Sequence, residues 1–328
     1  MRAHTQVGAA RAAASTAGSM ATGNEVDTTA KEPSQQALWQ RIEATYSSAE
    51  ARGAAYRTDT LVRVLRDLQD PRLRFVLRVA TALRDKPKPP KASGQEGRPA
   101  VNPFLPYEEA LWVAHLSPSH TLLLNKFNVV AHHLLVVTRA FEPQGTPLSA
   151  GDLSATWRVM QAMPHGGLAY FNCGEHSGAS QPHKHTQIVP LPLAAVPPLL
   201  EAAADEATRG AGAAAWEPRA ARALPFRCFC AALPEQEGAV TGKALAGAFQ
   251  ALHAAAFRDV CGEGSPSFNV LLTQRHMALV PRSREAWGPV AVNSMGYAGS
   301  LLVRSREELE YIEAEGPLCI LTEVGQPW

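Results

Sequence analysis

Residues 177–192 read SGASQPHKHTQIVPLP, in which small polar residues precede two histidines and a glutamine and an apolar stretch ends in prolines. Successive side chains of a β-strand point to opposite faces of the sheet. His183, His185 and Gln187 are therefore expected on one face, and Lys184 and Thr186 on the other. The stretch predicts a strand that presents three polar side chains on one surface.

Short apolar runs that are typical of strands surround this stretch. They are TLLLN (121–125), HLLVVT (133–138), LAYFN (168–172) and HTQIVP (185–190). A helix separates the second pair from the first, because Ser149 and Asp152 have the spacing of a capping box. The order strand, strand, helix, strand, strand predicts an α+β fold with an antiparallel sheet and flanking helices.

A similar pattern returns in the second half of the chain. It comprises a helix over 243–258, the strands FNVLLT (268–273), HMALVPR (276–282) and GSLLVR (299–304), and a closing helix between Ser305 and Gly316. We interpret the two halves as a loose duplication in which only the first carries the H-x-H element.

Changes in composition divide the chain into four predicted parts. Residues 1–36 form a disordered tail or a transit segment, because residues 1–24 are rich in Ala, Ser and Thr and lack Asp and Glu. Residues 37–193 form an N-terminal catalytic domain, the Ala/Pro-rich residues 194–223 a linker or insertion, and residues 224–328 a C-terminal domain. Within 37–84 the apolar residues have helical spacing and predict helices. The proline-rich residues 86–103 predict a loop or extended arm.

The overall composition excludes several classes of partner. The chain has 328 residues, 46% of them hydrophobic, which is typical of a soluble globular protein. Its 31 basic and 30 acidic residues give a net charge of +1, so no nucleic-acid or membrane partner is predicted. Five cysteines without a CxxC pair favour a reducing compartment. We expect the cytoplasm, or the chloroplast or mitochondrion if residues 1–24 are a transit peptide.

The H-x-H-x-Q pattern allows a metal site, a nucleophile or ordinary strand residues. Zinc needs three or four ligands, and Gln187 is a poor one, so no protein metal site is predicted. A neutral imidazole can instead attack phosphorus with one nitrogen while the other donates a hydrogen bond. The SGAS run offers Ser177, Gly178 and main-chain amides for phosphate oxygens. Because the Gln187 amide cannot give up a proton, the pattern favours transfer over hydrolysis.

Four segments resemble one family closely. They are LNKFNVVAHHLLVVTRAF (124–141), YFNCGEHSGASQPHKHTQIVPLP (170–192), FNVLLTQRHMALVPRS (268–283) and NSMGYAGSLLV (293–303). Together they resemble the ATP adenylyltransferase, or diadenosine tetraphosphate phosphorylase, family of the H-x-H-x-Q branch of the histidine-triad superfamily. The resemblance covers roughly residues 45–325 and implies reversible phosphorolysis of diadenosine tetraphosphate to ATP and ADP. Its partners would be these nucleotides and phosphate, with Mg²⁺ accompanying the nucleotide.

The resemblance also implies roles for individual residues. His185 would take AMP on its side chain and phosphate would then remove it, with His183 orienting His185 and Gln187 holding a phosphoryl oxygen. The expected substrate-binding residues are Lys86, Asn125, Lys126, Asn172, Ser177, Gly178, Ala179, Ser180, Gln181, Gln187, Asn269, Thr273 and Arg282. Lys88 and Lys91 compete with Lys86 for the phosphate-facing position. Thr186 departs from the family pattern, which carries an apolar residue there.

Two other functions fit part of the pattern. A sugar-1-phosphate nucleotidyltransferase shares the H-x-H-x-Q chemistry, but the segments outside the motif argue against it. A non-catalytic nucleotide sensor could use the same site, but it would not need the nucleophile His185.

Overall fold

The helices and strands are taken from a computed structural model that describes residues 34–80, 102–194, 199–209, 214–236, 238–258 and 266–328. The seven α-helices in these ranges are α1 (Gln35–Ala51), α2 (Ala150–Ala162), α3 (Leu199–Thr208), α4 (Gly242–Phe257), α5 (Ser294–Tyr297), α6 (Arg306–Glu315) and α7 (Pro317–Val324). The first eight strands are β1 (Tyr56–Arg57), β2 (Thr60–Arg66), β3 (Arg74–Ala80), β4 (Trp112–Ser117), β5 (His120–Leu124), β6 (Phe127–Asn128), β7 (Leu134–Thr138) and β8 (Gly167–Cys173). The others are β9 (His185–Pro190), β10 (Arg219–Ala220), β11 (Phe229–Ala232), β12 (Phe268–Leu272), β13 (His276–Pro281), β14 (Ala286–Trp287), β15 (Val290–Ala291) and β16 (Ser300–Val303).

The H-x-H-x-Q strand is β9, which lies inside a nine-stranded sheet. The strand order is β10-β11-β13-β12-β8-β9-β7-β5-β4, and every neighbouring pair is antiparallel. The predicted α+β class with an antiparallel sheet is therefore confirmed. Both halves of the chain contribute to this sheet, because β8 of the first half pairs with β12 of the second.

Two layers cover the two faces of this sheet. Helices α1, α2 and α4 pack on one face through a large apolar core. The other face packs against a second layer, made of helices α3, α5, α6 and α7 and a small sheet of order β16-β3-β2. No helix in the described ranges is long and apolar enough to cross a membrane.

The helix α2 begins where its sequence predicts. The Ser149 hydroxyl accepts a hydrogen bond from the Asp152 amide, and the Asp152 carboxylate accepts one from the Ser149 amide. This reciprocal capping box satisfies two amides at the helix start. The predicted strands and helices between 121 and 190, and those after 243, are likewise confirmed to within one or two residues.

The prediction of helices throughout residues 37–84 is wrong after Ala51. Residues 56–80 form β1, β2 and β3 instead. The segment between β2 and β3 contains Pro71, and the Asp67 carboxylate accepts hydrogen bonds from the amides of Gln69 and Asp70, so the chain turns there. Alternate residues of β3, namely Phe75, Leu77 and Val79, are buried in the second core. Helical spacing and strand alternation overlap in this short segment, and pairing with β16 selects the strand.

Several predictions fall on other parts of the chain. The predicted tail up to residue 33, the arm from residue 86 to residue 101, and therefore Lys86, Lys88 and Lys91, lie outside the described residues. The predicted linker 194–223 contains α3 and β10. The described residues between 34 and 328 form one compact unit.

Candidate active site

The strand β9 divides its side chains between the two faces of the sheet. His185 packs against the ring of Phe104 on the face of the second layer. On the opposite face, the Lys184 ammonium lies 2.7 Å from Asp152 and the Thr186 hydroxyl lies 2.7 Å from that of Thr156 in α2. The hydroxyl of Thr186 thus has a buried partner, which explains how a polar residue is accommodated at this position.

His185 is held as a neutral imidazole with one free nitrogen. Its Nδ1 lies 2.8 Å from the main-chain carbonyl of His183, which can only accept a hydrogen bond. Nδ1 therefore carries the proton, and Nε2 keeps its lone pair and has no hydrogen-bond partner among the described residues. Burial lowers the pKa of His185 to about 4, so the ring is neutral at pH 7. A neutral ring with a free Nε2 is the form that attacks phosphorus.

His183 orients His185 through its main chain rather than its ring. The ring Nδ1 of His183 lies 2.9 Å from the Asn102 amide group, and its Nε2 lies 2.9 Å from the Thr138 hydroxyl. Phe104 and Phe141 pack against the same ring. The side chain of His183 therefore anchors the start of β9, and its carbonyl fixes the tautomer of His185.

The amide oxygen of Gln187 is held by two hydrogen-bond donors. This oxygen lies 3.0 Å from the Tyr170 hydroxyl and 3.0 Å from Nε2 of His133. The Asn125 amide lies 2.9 Å from Nδ1 of His133 and donates to it, so His133 donates from Nε2. Burial lowers the pKa of His133 to about 4, which keeps this ring neutral. The Gln187 NH₂ group is left without a partner among the described residues.

Asn172 is oriented in the same way on the neighbouring strand. Extending the β8–β9 register by two positions from the Tyr170 and Gln187 pair places Asn172 opposite His185. Its side-chain oxygen accepts hydrogen bonds from the Asn269 amide group at 2.8 Å and from the Ser294 hydroxyl at 2.7 Å. The Asn172 NH₂ group has no partner in the described part of the chain. Two NH₂ donors therefore flank His185.

The side chain of Gln144 joins β8 to β9 at His185. Its oxygen accepts from the His185 amide at 2.9 Å, and its NH₂ group donates to the Asn172 carbonyl at 2.8 Å. This bridge extends the β8–β9 pairing to His185 and fixes the main chain there. Gln144, His133, Tyr170 and Ser294 were not predicted as site residues, because no local motif marks them.

The loop before β9 is held close to the C-terminal half. Gly178 has a φ of +77°, and a Cβ there would lie 2.7 Å from the Val292 carbonyl oxygen, so only glycine fits. Ser177 is buried, and its hydroxyl donates to the Gly174 carbonyl. Ala179 and Ser180 are exposed and Gln181 is half-buried. The run Gly178–Gln181 thus forms an accessible edge two residues before His183.

Three predicted substrate residues of the C-terminal half are engaged elsewhere. Thr273 lies four residues along β12 from Asn269, about 13 Å away, and its hydroxyl donates to Glu201. Arg282 is buried and donates to the side chain of Asn269 and to main-chain carbonyls. Asn269 in turn donates to Asn172 and Ser177. The structure does not bring Thr273 to His185, and it gives Arg282 and Asn269 positioning contacts.

The predicted pair Asn125 and Lys126 lies at the edge of the site. Asn125 contacts His133, as described above, and the ammonium of Lys126 pairs with the exposed carboxylate of Glu108. Within the described ranges, no group of three or more His, Cys, Asp or Glu side chains is arranged to hold a metal ion.

Comparisons with known proteins match nearly the whole chain. The model of the Ap4A phosphorylase N-terminal domain matches residues 28–201, and that of the ATP adenylyltransferase C-terminal domain matches residues 222–327. Diadenosine 5',5'''-P1,P4-tetraphosphate phosphorylase 2 of Saccharomyces cerevisiae is 32% identical over 299 residues, which cover 84% of this chain and 90% of the relative. Ap4A is diadenosine tetraphosphate.

Solved structures show the same similarity. The crystal structure of yeast Ap4A phosphorylase Apa2 has a TM-score of 0.76 at 29% identity and covers 88% of this chain and 97% of its own. The structure of Apa2 in complex with Ap4A has a TM-score of 0.74 at 29% identity, with the same coverage. The complex of Apa2 with AMP has a TM-score of 0.73 at 30% identity and covers 88% of this chain and 96% of that one.

Proposed function

The chain belongs to the Ap4A phosphorylase family, and from this membership we propose that it is a nucleotidyltransferase that converts diadenosine tetraphosphate and phosphate to ATP and ADP, reversibly. The observation that carries the mechanism is the state of His185, which is neutral, has a free Nε2 and lies between two oriented NH₂ donors. Family membership favours this reaction over sugar-1-phosphate nucleotidyl transfer and over a sensor without turnover.

In the first step, Nε2 of His185 attacks the α-phosphorus of diadenosine tetraphosphate. The new bond joins Nε2 to phosphorus, and the bond from phosphorus to the bridging oxygen breaks, so ATP leaves with that electron pair. The modified ring becomes positively charged, and its Nδ1–H bond to the His183 carbonyl stabilises the charge. The free NH₂ groups of Asn172 and Gln187 donate to the phosphoryl oxygens as charge develops.

In the second step, phosphate attacks the same phosphorus and releases His185, giving ADP. Two successive in-line displacements at one phosphorus retain its configuration. The leaving group of each step, ATP or the imidazole, departs without a proton from Gln187, whose amide has none to give. The main-chain amides of Gly178–Gln181 are available for the remaining phosphate oxygens.

Mg²⁺ is proposed to enter as part of the polyphosphate substrate, because its ligands in such complexes are mostly phosphate oxygens and water. We further propose the cytoplasm as the compartment of the reaction, with the chloroplast or mitochondrion as the alternative. The four cysteines of the described ranges are all free, as in proteins of reducing compartments.

The test is the covalent intermediate. Protein is mixed with diadenosine tetraphosphate labelled at its α-phosphates, without added phosphate, and an acid-labile adenylyl adduct is measured. We expect the adduct in the wild type and in His176→Ala, which removes an exposed histidine of the neighbouring loop. His185→Ala should form none. Label retained on His185→Ala would show that His185 is not the nucleophile.

A further inference from the structure

Two exposed aromatic rings form a stacked pair beside the site. Tyr56 is 52% exposed and Phe127 is 63% exposed. Their ring centroids are 5.8 Å apart and their planes differ by 17°. Both rings belong to the parallel pair β1–β6, in which Tyr56 is the register partner of Phe127. Two adjacent exposed rings form an apolar patch that could bind a ligand, because burying such rings is favourable.

The main chain holds this pair in place. The Tyr56 amide donates to the Lys126 carbonyl at 2.7 Å, and the Thr58 amide donates to the Asn128 carbonyl at 2.7 Å. The Phe127 amide donates to the Asn125 side-chain oxygen at 3.3 Å. The stacked rings therefore project from a fixed backbone and need little ordering to bind a ligand.

Hydrogen bonds connect the pair to Gln187. Asn125, which accepts from the Phe127 amide, donates to His133, and His133 donates to Gln187. In the main sheet, β5 and β9 are separated by β7 alone, so Asn125 lies about two strand spacings, or about 10 Å, from Gln187. A phosphoryl group at Gln187 and a base at the aromatic pair are therefore separated by roughly the length of a nucleoside.

We propose that Tyr56 and Phe127 form the stacking surface for the adenine of the adenylate that is transferred to His185. This inference rests on the proposed function. A purine presents a flat π face that can stack on an aromatic side chain. The polar groups between the pair and Gln187 would face the ribose. Phe104 and Phe141 pack on the rings of His183 or His185 and therefore lie at the phosphate end.

The test compares ligands with and without the base. Affinities of AMP and ribose 5-phosphate are measured by calorimetry for the wild type, Phe127→Leu, Tyr56→Ala and Phe127→Trp. Phe127→Leu and Tyr56→Ala should each weaken AMP binding about tenfold and leave ribose 5-phosphate nearly unchanged, within the range expected for one lost stack. Phe127→Trp should retain AMP binding because it retains a ring. Leu68→Ala, which removes a side chain that is 59% exposed, is the matched control and should change neither affinity.

Two results would overturn the proposal. One is an equal change, or none, in the affinities for AMP and ribose 5-phosphate. The other is unchanged AMP binding with weaker binding of diadenosine tetraphosphate, which would assign the pair to the second adenine. The adduct assay on the same variants distinguishes a failure of this proposal from a failure of the proposed function. Adduct formation depends on His185, whichever residues contact the adenine.

Discussion

The hydroxyl of Ser294 lies 2.7 Å from the side-chain oxygen of Asn172, although 122 residues separate them in sequence. Asn172 belongs to β8 next to His185, and Ser294 opens the short helix α5 of the C-terminal half. The Ser294 amide donates to the same oxygen at 3.0 Å. The C-terminal half therefore determines which end of the Asn172 amide faces His185.

Replacing Ser294 by alanine should slow the reaction more than it weakens substrate binding. The variant loses one donor to Asn172, so its NH₂ group is held less firmly when charge develops on phosphorus. One hydrogen bond of about 1 kcal/mol corresponds to about a fivefold loss of kcat. Steady-state phosphorolysis measures this loss of kcat. Ser283→Ala is the control, because the Ser283 hydroxyl donates to the Gly325 carbonyl and not to Asn172. A rise in KM at unchanged kcat would contradict the orienting role.

The contribution of Gln187 to kcat should depend on both Tyr170 and His133, because both donate to its amide oxygen. Tyr170→Phe removes the first donor and keeps His133, whereas His133→Leu removes the second and keeps Tyr170. We expect each single variant to lose about threefold to tenfold in kcat. The double variant should lose more than the product of the two, because only then is the amide free to turn. If the loss of kcat in the double variant equals the product of the two single losses, Tyr170 and His133 act independently and do not jointly orient Gln187.

Activity should persist well below the ordinary pKa of histidine. Burial lowers the pKa of His185 to about 4, so Nε2 keeps its lone pair in mildly acidic solution. The single-turnover rate of adduct formation at saturating substrate should be level from about pH 8 to about pH 5.5, whereas an exposed histidine would lose half its activity near pH 6.5. An inflection near pH 6.5 in the single-turnover rate would show that the ring is not desolvated in the complex.

The free energy of unfolding should fall as the pH is lowered from 6.5 to about 4. His133 and His185 have folded-state pKa values of about 4, below the unfolded value of 6.5, so the unfolded chain binds more protons between these limits. The stabilisation is complete above pH 6.5 and is lost as the pH falls through about 4. Denaturant unfolding at several pH values measures this slope, which His133→Leu should reduce.

Arg282→Met should lower the stability of the folded protein and have little direct effect on substrate affinity. The guanidinium donates to Asn269 and to the carbonyls of Val292, Arg284 and Val324 within a buried region. Removing it leaves several buried acceptors unpaired, at a cost of about 3 kcal/mol or more. Thermal unfolding measures the loss. If the variant is as stable as the wild type but has a higher KM for nucleotide, Arg282 binds the substrate and this prediction is wrong.

The sequence predicted the strands around His185 because local signals determine them. Short apolar runs, the Ser149–Asp152 capping box and turn residues all act within a few positions of the elements they define. Residues 56–80 lack such a signal. Their apolar spacing fits a helix as well as a strand, and the deciding partner β16 is more than two hundred residues away in the chain.

The positioning residues of the site could not be predicted for a similar reason. Gln144 acts on carbonyl and amide groups 28 and 41 residues away, and His133 acts on Gln187 at a separation of 54 residues. Arg282 illustrates the opposite case. A cation near a nucleotide-binding motif suggests a phosphate ligand, but only the tertiary structure shows that its donors are already used by buried acceptors.

Strand β8, which pairs with the His185 strand β9, is the fifth of the nine strands of the main sheet, with four strands on each side. Strands at the centre of a sheet exchange their amide hydrogens last, because they open only when the whole sheet opens. Asn172, His185 and Gln187 thus lie in the region that frays least. Loss of catalysis and loss of the fold should then be a single cooperative event, and no partly denatured form should retain the sheet without the active site.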